Sequence, residues 1–188
     1  MEALLVSTGI VALAEMGDKT QLLALLLAAR LKKPLPICLG IFTATLVNHA
    51  CAAAVGQWIT TYLGGDAMRW ILGISFLAMG AWMLIPDKLD ENESNTPARF
   101  GAYLTTVFAF FIVEMGDKTQ IATVALAARY TEIVWVVVGT TLGMMLANAP
   151  VVWFGDRLTR RVPIRTVHIV CALIFAVLGI AALLTSTS

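Results

Sequence analysis

Charge is scarce in this sequence, and so are the residues of most catalytic and metal-binding motifs. Only 13% of the 188 residues are charged, and two are histidine. The three cysteines form no C-x-x-C pair, so neither a disulfide framework nor a zinc site is indicated. The net charge of +1 provides no basic surplus for a nucleic-acid partner. No nucleophile motif and no H-E-x-x-H motif occurs, which argues against an enzyme.

Hydrophobic residues, by contrast, make up 59% of the chain, and the mean hydropathy is +0.84. These values exceed those of soluble globular domains and predict an all-α integral membrane protein. One span needs about 20 apolar residues, so about six spans would use the whole chain. Breaks at charges and prolines predict six transmembrane helices at about 3–29, 35–59, 67–85, 101–127, 133–155 and 166–184.

The basic residues of the loops orient these spans, because cytoplasmic loops carry an excess of lysine and arginine. One side would hold only Arg69 and Arg129. The other, predicted to be cytoplasmic, would hold Arg30, Lys32, Lys33, Lys88, Arg99, Arg157, Arg160, Arg161 and Arg165. Both termini are then expected outside, with the polar, acidic linker over 86–100 in the cytoplasm.

An internal repeat divides the chain into two copies of a three-helix unit. At an offset of 99 residues, the segment 15–21 matches 114–120 at all seven positions, and Gly40 then pairs with Gly139 and Phe76 with Phe175. Because three spans is an odd number, the second copy should enter the membrane from the opposite face, as in inverted-repeat transporters. The predicted units are 1–85 and 101–188, joined by the linker 86–100.

The repeated segment places ionisable residues in the middle of the first and fourth spans. Charged groups at that depth cost about 2.5–3.5 kcal/mol each on insertion scales, so they are expected to face a polar interior and be functional. On a continuous helix the acids and lysine of each motif would share one face. The two spans run antiparallel in an inverted repeat, so four carboxylates should meet near the midplane: Glu15, Asp18, Glu114 and Asp117.

Two motif lysines would leave this cluster with two uncompensated negative charges. A divalent cation would neutralise it, whereas a dry, empty site would take up protons, which is the minimum that a cation/proton antiporter requires. The hard oxygen donors suit Ca²⁺, Mn²⁺ or Mg²⁺. Gly17 and Gly116 would either bend the helices and expose carbonyl oxygens or let helices pack closely.

Other polar residues of the spans are secondary candidates. Lys19 and Lys118 would tether carboxylates or compete with the cation, and tethering is favoured. Four side chains are either ion ligands or interhelical hydrogen-bonding groups: Thr20, Gln21, Thr119 and Gln120. Asn48 and Asn148 lie deep in the second and fifth spans and rank next, with His49 below them.

The two motifs, at 15–20 and 114–119, resemble the E-x-G-D-[KR]-[ST] motif of a family of membrane cation exchangers found in bacteria, chloroplasts and the Golgi. The resemblance covers essentially the whole chain, including the two halves and the hydrophilic linker. It implies transport of Mn²⁺ and Ca²⁺ in exchange for protons, with the four motif acids as the ion site. The short chain resembles bacterial members, for which manganese efflux across the inner membrane is expected.

The sequence analysis therefore predicts a secondary transporter that exports a divalent cation, with the lipid bilayer as its environment and no resident cofactor. Two rivals remain. An exporter of a small organic cation, such as a basic amino acid, would need an apolar pocket for the substrate. A purely structural membrane subunit would not need two buried acid clusters.

Overall fold

A computed structural model of the chain describes residues 1–63, 65–85, 101–155 and 164–184. The described residues form eight α-helices: α1 Glu2–Glu15, α2 Lys19–Leu31, α3 Pro34–Tyr62, α4 Gly65–Trp82, α5 Gly101–Glu114, α6 Lys118–Arg129, α7 Ile133–Phe154 and α8 Ile164–Leu184. This confirms the all-helical prediction for the described part of the chain. The linker over 86–100 lies outside the described residues, as do Lys88, Arg99, Arg157, Arg160 and Arg161.

The first and fourth predicted spans are not continuous helices. Each is interrupted within its motif, which gives α1 and α2 in the first copy and α5 and α6 in the second. The single helices predicted over 3–29 and 101–127 were therefore wrong at their centres. Among the residues that the structure describes, three helices are long and apolar enough to cross a membrane, namely Pro34–Tyr62, Ile133–Phe154 and Arg165–Leu184.

Helix packing joins the two sequence copies and follows the repeat. Helix α1 of the first copy packs on α7 of the second, where Gly139 lies so close to Ser7 of α1 that an added Cβ would be 2.9 Å from the Ser7 Cβ. Helix α5 of the second copy packs on α3 of the first, where a Cβ on Gly40 would be 2.7 Å from the Cβ of Thr106. Ser7 and Thr106 are equivalent in the repeat, so the same small-residue contact forms twice.

The last helices of the two copies pack against each other. The rings of Phe76 on α4 and Phe175 on α8 lie 6.1 Å apart, between centroids, and both side chains are buried. Close contacts at Gly73 and Gly179 bring the two backbones together. We call α4 and α8 the outer pair.

The start of the first interrupted segment lies beside the end of the second. At the first residue of α1, Glu2 accepts a hydrogen bond of 3.2 Å from the hydroxyl of Tyr130, which follows α6. The two interruptions also lie together, because Lys19 contacts Asp117 at 3.4 Å. The segment 2–31 therefore runs antiparallel to the segment 101–129.

Candidate cation-binding site

Each motif forms a break between two helices. Helix α1 ends at Glu15, Asp18 is the N-cap residue of α2, and Gly17 between them has φ of 81°. The second motif repeats this with Gly116 at φ of 76°, a left-handed conformation that glycine adopts without a Cβ clash. A Cβ on Gly116 would meet no atom within 4 Å, so of the two roles expected for this residue the structure supports the bend and not close packing.

The glutamines of the motifs hold the breaks in place. The Gly17 N–H donates to Gln21 Oε1 over 2.9 Å, and the Gly116 N–H donates to Gln120 Oε1 over 2.6 Å. Gln21 Nε2 also donates to the Ala147 carbonyl of α7 over 3.0 Å. These side chains satisfy backbone groups that the break leaves without helical partners, which favours the hydrogen-bonding role over direct ion ligation.

All four motif carboxylates are buried, each with at most 2% of its surface exposed. Glu15, Asp18 and Asp117 each offer an oxygen, and these three oxygens lie within 4.8 Å of one another. Oxygen ligands on opposite sides of a Ca²⁺-sized ion are about 4.6–5.2 Å apart, so one divalent cation fits between them. The acids do not share a helix face, as continuous helices would require, because they converge from two helix ends.

Glu15 is supported by groups from both copies. Its Oε2 accepts a short hydrogen bond from the Thr20 hydroxyl and a longer one, 3.4 Å, from Asn148 Nδ2 on α7. Its Oε1 is buried and accepts no hydrogen bond from the residues that the structure describes. Because two other carboxylates, Asp18 and Asp117, lie beside that of Glu15, this unpartnered oxygen is suited to binding a cation.

Glu114 has different surroundings. Its Oε1 lies 2.9 Å from His49 Nε2, and its Oε2 accepts hydrogen bonds from Asn48 Nδ2 at 3.2 Å and from the Thr45 hydroxyl at 3.4 Å. The sequence analysis placed His49 below the two asparagines and did not name Thr45 as a candidate. The repeat held the signal for the histidine, because His49 and Asn148 are equivalent positions and each contacts the glutamate of the opposite copy.

The lysines pair across the repeat. Lys19 Nζ lies 3.4 Å from Asp117 Oδ1, and Lys118 Nζ lies 3.9 Å from Asp18 Oδ1. Within the second motif, the Thr119 hydroxyl donates to Asp117 Oδ2 over 3.3 Å. Each lysine thus contacts an aspartate of the other motif, whereas one continuous helix would have placed it beside the glutamate of its own motif.

The structure brings the oxygens of Glu15, Asp18 and Asp117 together, whereas Glu114 contacts His49, Asn48 and Thr45 and is not part of that group of three. Buried carboxylates with lysine partners, placed where two broken helices meet in an apolar helical bundle, define a membrane transporter for cations. The family model described as "Divalent cation/proton antiporter GDT1" matches residues 3–91 and 102–188, and the chain belongs to this family. It is therefore an integral membrane transporter and not an enzyme.

Individual relatives agree with the family. The chain is 50% identical to a Vibrio cholerae protein named "Putative manganese exporter", over 96% of this chain and 90% of that protein. It is 27% identical to GDT1-like protein 3 of Oryza sativa subsp. indica, over 93% of this chain and 71% of the relative. GDT1-like protein 5 of Arabidopsis thaliana is also 27% identical, over 92% of this chain and 91% of the relative. No solved structure matches the chain.

Proposed function

We propose that this protein exports a divalent cation from the cytoplasm in exchange for protons, with Mn²⁺ as the principal substrate and Ca²⁺ as the second. The observation that carries the proposal is the charge of the buried cluster. The four buried motif carboxylates outnumber the two motif lysines, which leaves two negative charges when all are ionised. One divalent cation neutralises that excess, and two protons do so in its absence, so the same groups bind either ion.

The proposed architecture is six spans in two inverted repeats, 1–85 and 101–188, with the broken helices each counting as one span. The antiparallel course of the two broken helices supports it, because an inverted repeat requires that course. The contact between Glu2 and Tyr130 and the contact between Lys19 and Asp117 fix this direction at two levels of the bundle. The acids of both copies then form one site near the bilayer midplane.

The proposed orientation follows the distribution of basic residues, with both termini outside and the linker 86–100 in the cytoplasm. The proposed location is the inner membrane of a bacterium. Export is also the direction in the name of the Vibrio cholerae relative. With this orientation, α1 and α6 occupy the outer half of the membrane, and α2 and α5 the cytoplasmic half.

Buried His49 supports Mn²⁺ over Ca²⁺. Calcium takes oxygen ligands, whereas an imidazole nitrogen suits transition metals. His49 Nε2 lies 2.9 Å from Glu114 Oε1, and both ring nitrogens are buried without a hydrogen-bond partner in the described residues, so a neutral imidazole has a lone pair to offer a metal ion. The equivalent position in the other copy is Asn148, so the nitrogen ligand is present once.

The remaining polar groups have supporting roles in this proposal. Thr20 and Asn148 hold Glu15, Asn48 holds Glu114, and each lysine holds the aspartate of the opposite motif. When the cation leaves, protons neutralise the carboxylates that lose their counter-charge, because isolated charges are costly in a dry site. Proton entry as metal leaves is the coupling step.

The test is Mn²⁺ uptake into inside-out membrane vesicles with a preset acidic interior. Wild type should take up Mn²⁺ and dissipate the pH gradient, and Glu15→Gln should do neither. Glu2→Gln is the matched control, since it removes a carboxylate from the same helix outside the cluster and should transport normally.

The same vesicles test the rival substrate. Uptake of a labelled basic amino acid without Mn²⁺ sensitivity would replace the metal proposal with an organic-cation exporter. Mn²⁺ uptake that leaves the pH gradient intact would remove the proton coupling.

A further inference from the structure

The outer pair is not placed symmetrically on the rest of the protein. Helix α4 packs on α6, and α8 packs on α1. If the two copies were packed alike, α8 would also pack on α2, and α4 would also pack on α5. Neither of those pairs makes a comparable contact within the described residues. The outer pair therefore covers one half of each broken helix and leaves the other half uncovered.

A side-chain contact accompanies this placement at the first break. His168 on α8 has its Nε2 2.8 Å from the carbonyl oxygen of Met16, at which distance the ring N–H donates to the carbonyl. The His168 side chain is buried, with 9% of its surface exposed. The contact joins the outer pair to the backbone of the break that carries Glu15 and Asp18.

The equivalent contact at the second break is not made. The repeat pairs His168 with Arg69 on α4, and Met16 with Met115. Met115 is 60% exposed, and the space around Gly116 is open. Arg69 Nε is buried and has no hydrogen-bond partner among the described residues, which is costly for a charged donor. Arg69 Nε on α4 thus lacks an acceptor, and Met115 lacks the contact that His168 makes with Met16.

The two motif lysines show the same asymmetry independently. Lys118 donates to the Ile85 carbonyl over 3.3 Å and lies 5.9 Å from the ring centroid of Trp82, at the end of α4. Its side chain is 3% exposed, whereas that of Lys19 is 19% exposed. The end of α4 covers one lysine, and the other is more open.

We propose that the outer pair is the moving element of transport and that His168 and Arg69 are its alternate latches. In the described state His168 holds the Met16 carbonyl, and the outer pair closes the outer half of the protein while the cytoplasmic half stays open. In the opposite state His168 releases Met16, and Arg69 donates to the Met115 carbonyl. An inverted repeat reaches its second state when the two copies exchange conformations, so the contact of one copy is expected to recur in the other. The assignment of sides rests on the proposed function.

Cysteine accessibility tests the latches directly. Cys38, Cys51 and Cys171 are replaced by alanine, and Met115→Cys or Met16→Cys is added. A membrane-impermeant maleimide is then applied to either face of sealed vesicles. Met115→Cys should react from the cytoplasmic face, and Met16→Cys should react slowly, from the outer face.

The latch variants should shift these rates in opposite directions. His168→Ala should speed labelling of Met16→Cys about fivefold, the population change that follows from losing one hydrogen bond. His168→Gln, which keeps an N–H donor, should restore the slow rate. Arg69→Ala should slow the same reaction. Val170→Ala, on the same helix at a position 43% exposed, should change nothing.

The outcomes separate this proposal from the proposed function. If wild type exchanges Mn²⁺ for protons but the His168 and Arg69 variants leave both labelling rates within twofold, the latches are refuted and the transport function stands. Lack of reaction at Met16→Cys in every variant also overturns the proposal, because it means that the asymmetry is permanent. If the rates shift as expected but wild type moves no Mn²⁺, the latches stand and the proposed substrate fails.

Discussion

The break at Gly116 provides a clean perturbation of the site, because a side chain there tests backbone conformation alone. Gly116→Ala places a Cβ where no atom lies within 4 Å, so steric overlap is excluded. At φ of 76° an L-residue costs about 1–2 kcal/mol relative to a right-handed conformation. Without a cation, the alanine variant avoids that cost by continuing the helix through the break. Cation binding must then supply the free energy that returns residue 116 to the left-handed conformation. Mn²⁺ affinity should fall about 5–30-fold, measured by calorimetry on purified protein.

Gly9→Ala is the control for this change. Gly9 lies within α1, and a Cβ there also meets nothing within 4 Å. Alanine is preferred to glycine inside a helix, so this variant should bind Mn²⁺ normally and be slightly more stable. If Gly116→Ala binds Mn²⁺ as tightly as wild type, the broken-helix conformation is not needed for binding and the account of the site is wrong.

Three further predictions concern selectivity, packing and charge. His49→Asn, which gives both copies the same residue, should weaken Mn²⁺ binding while leaving Ca²⁺ binding nearly unchanged; equal losses for both ions in competition assays would contradict the nitrogen ligand. Gly56→Ala should destabilise the protein by about 1–3 kcal/mol in thermal unfolding, because its Cβ would overlap the Val124 carbonyl of α6; an unchanged midpoint would refute the close approach. Lys118→Met should lower metal-free thermal stability more than Lys19→Met, since removing one member of a buried ion pair leaves an uncompensated charge; equal effects would show that burial does not distinguish the lysines.

The sequence predicted the larger features of this protein because those features depend on periodic patterns. The ends of α3 and α7 fall within a few residues of the predicted spans, since charges and prolines mark them. The perfect seven-residue repeat identified both motifs, and the structure brings Glu15, Asp18 and Asp117 together. Each of these predictions depends on residues that are close in the sequence or separated by the repeat offset of 99 residues.

Other features depend on choices that a single sequence leaves open. Gly17 is compatible with a bend, a close contact or an uninterrupted helix, and only the three-dimensional context selects the left-handed conformation. Once the helix breaks, the i, i+4 geometry that would pair Lys19 with Glu15 is lost, and Lys19 contacts Asp117 instead. The placement of α4 and α8 could not be predicted either, because two identical motifs give no reason for Met16 to be covered and Met115 to be exposed.

The central claim is that the same buried carboxylates bind either the cation or protons. Calorimetric titration of purified protein with Mn²⁺, in buffers of different ionisation enthalpy and at several pH values, measures both events at once. The account predicts that protons are released as Mn²⁺ binds, that affinity falls as pH is lowered, and that Glu15→Gln and Glu114→Gln reduce the protons released. Mn²⁺ binding that is independent of pH and releases no protons would contradict it.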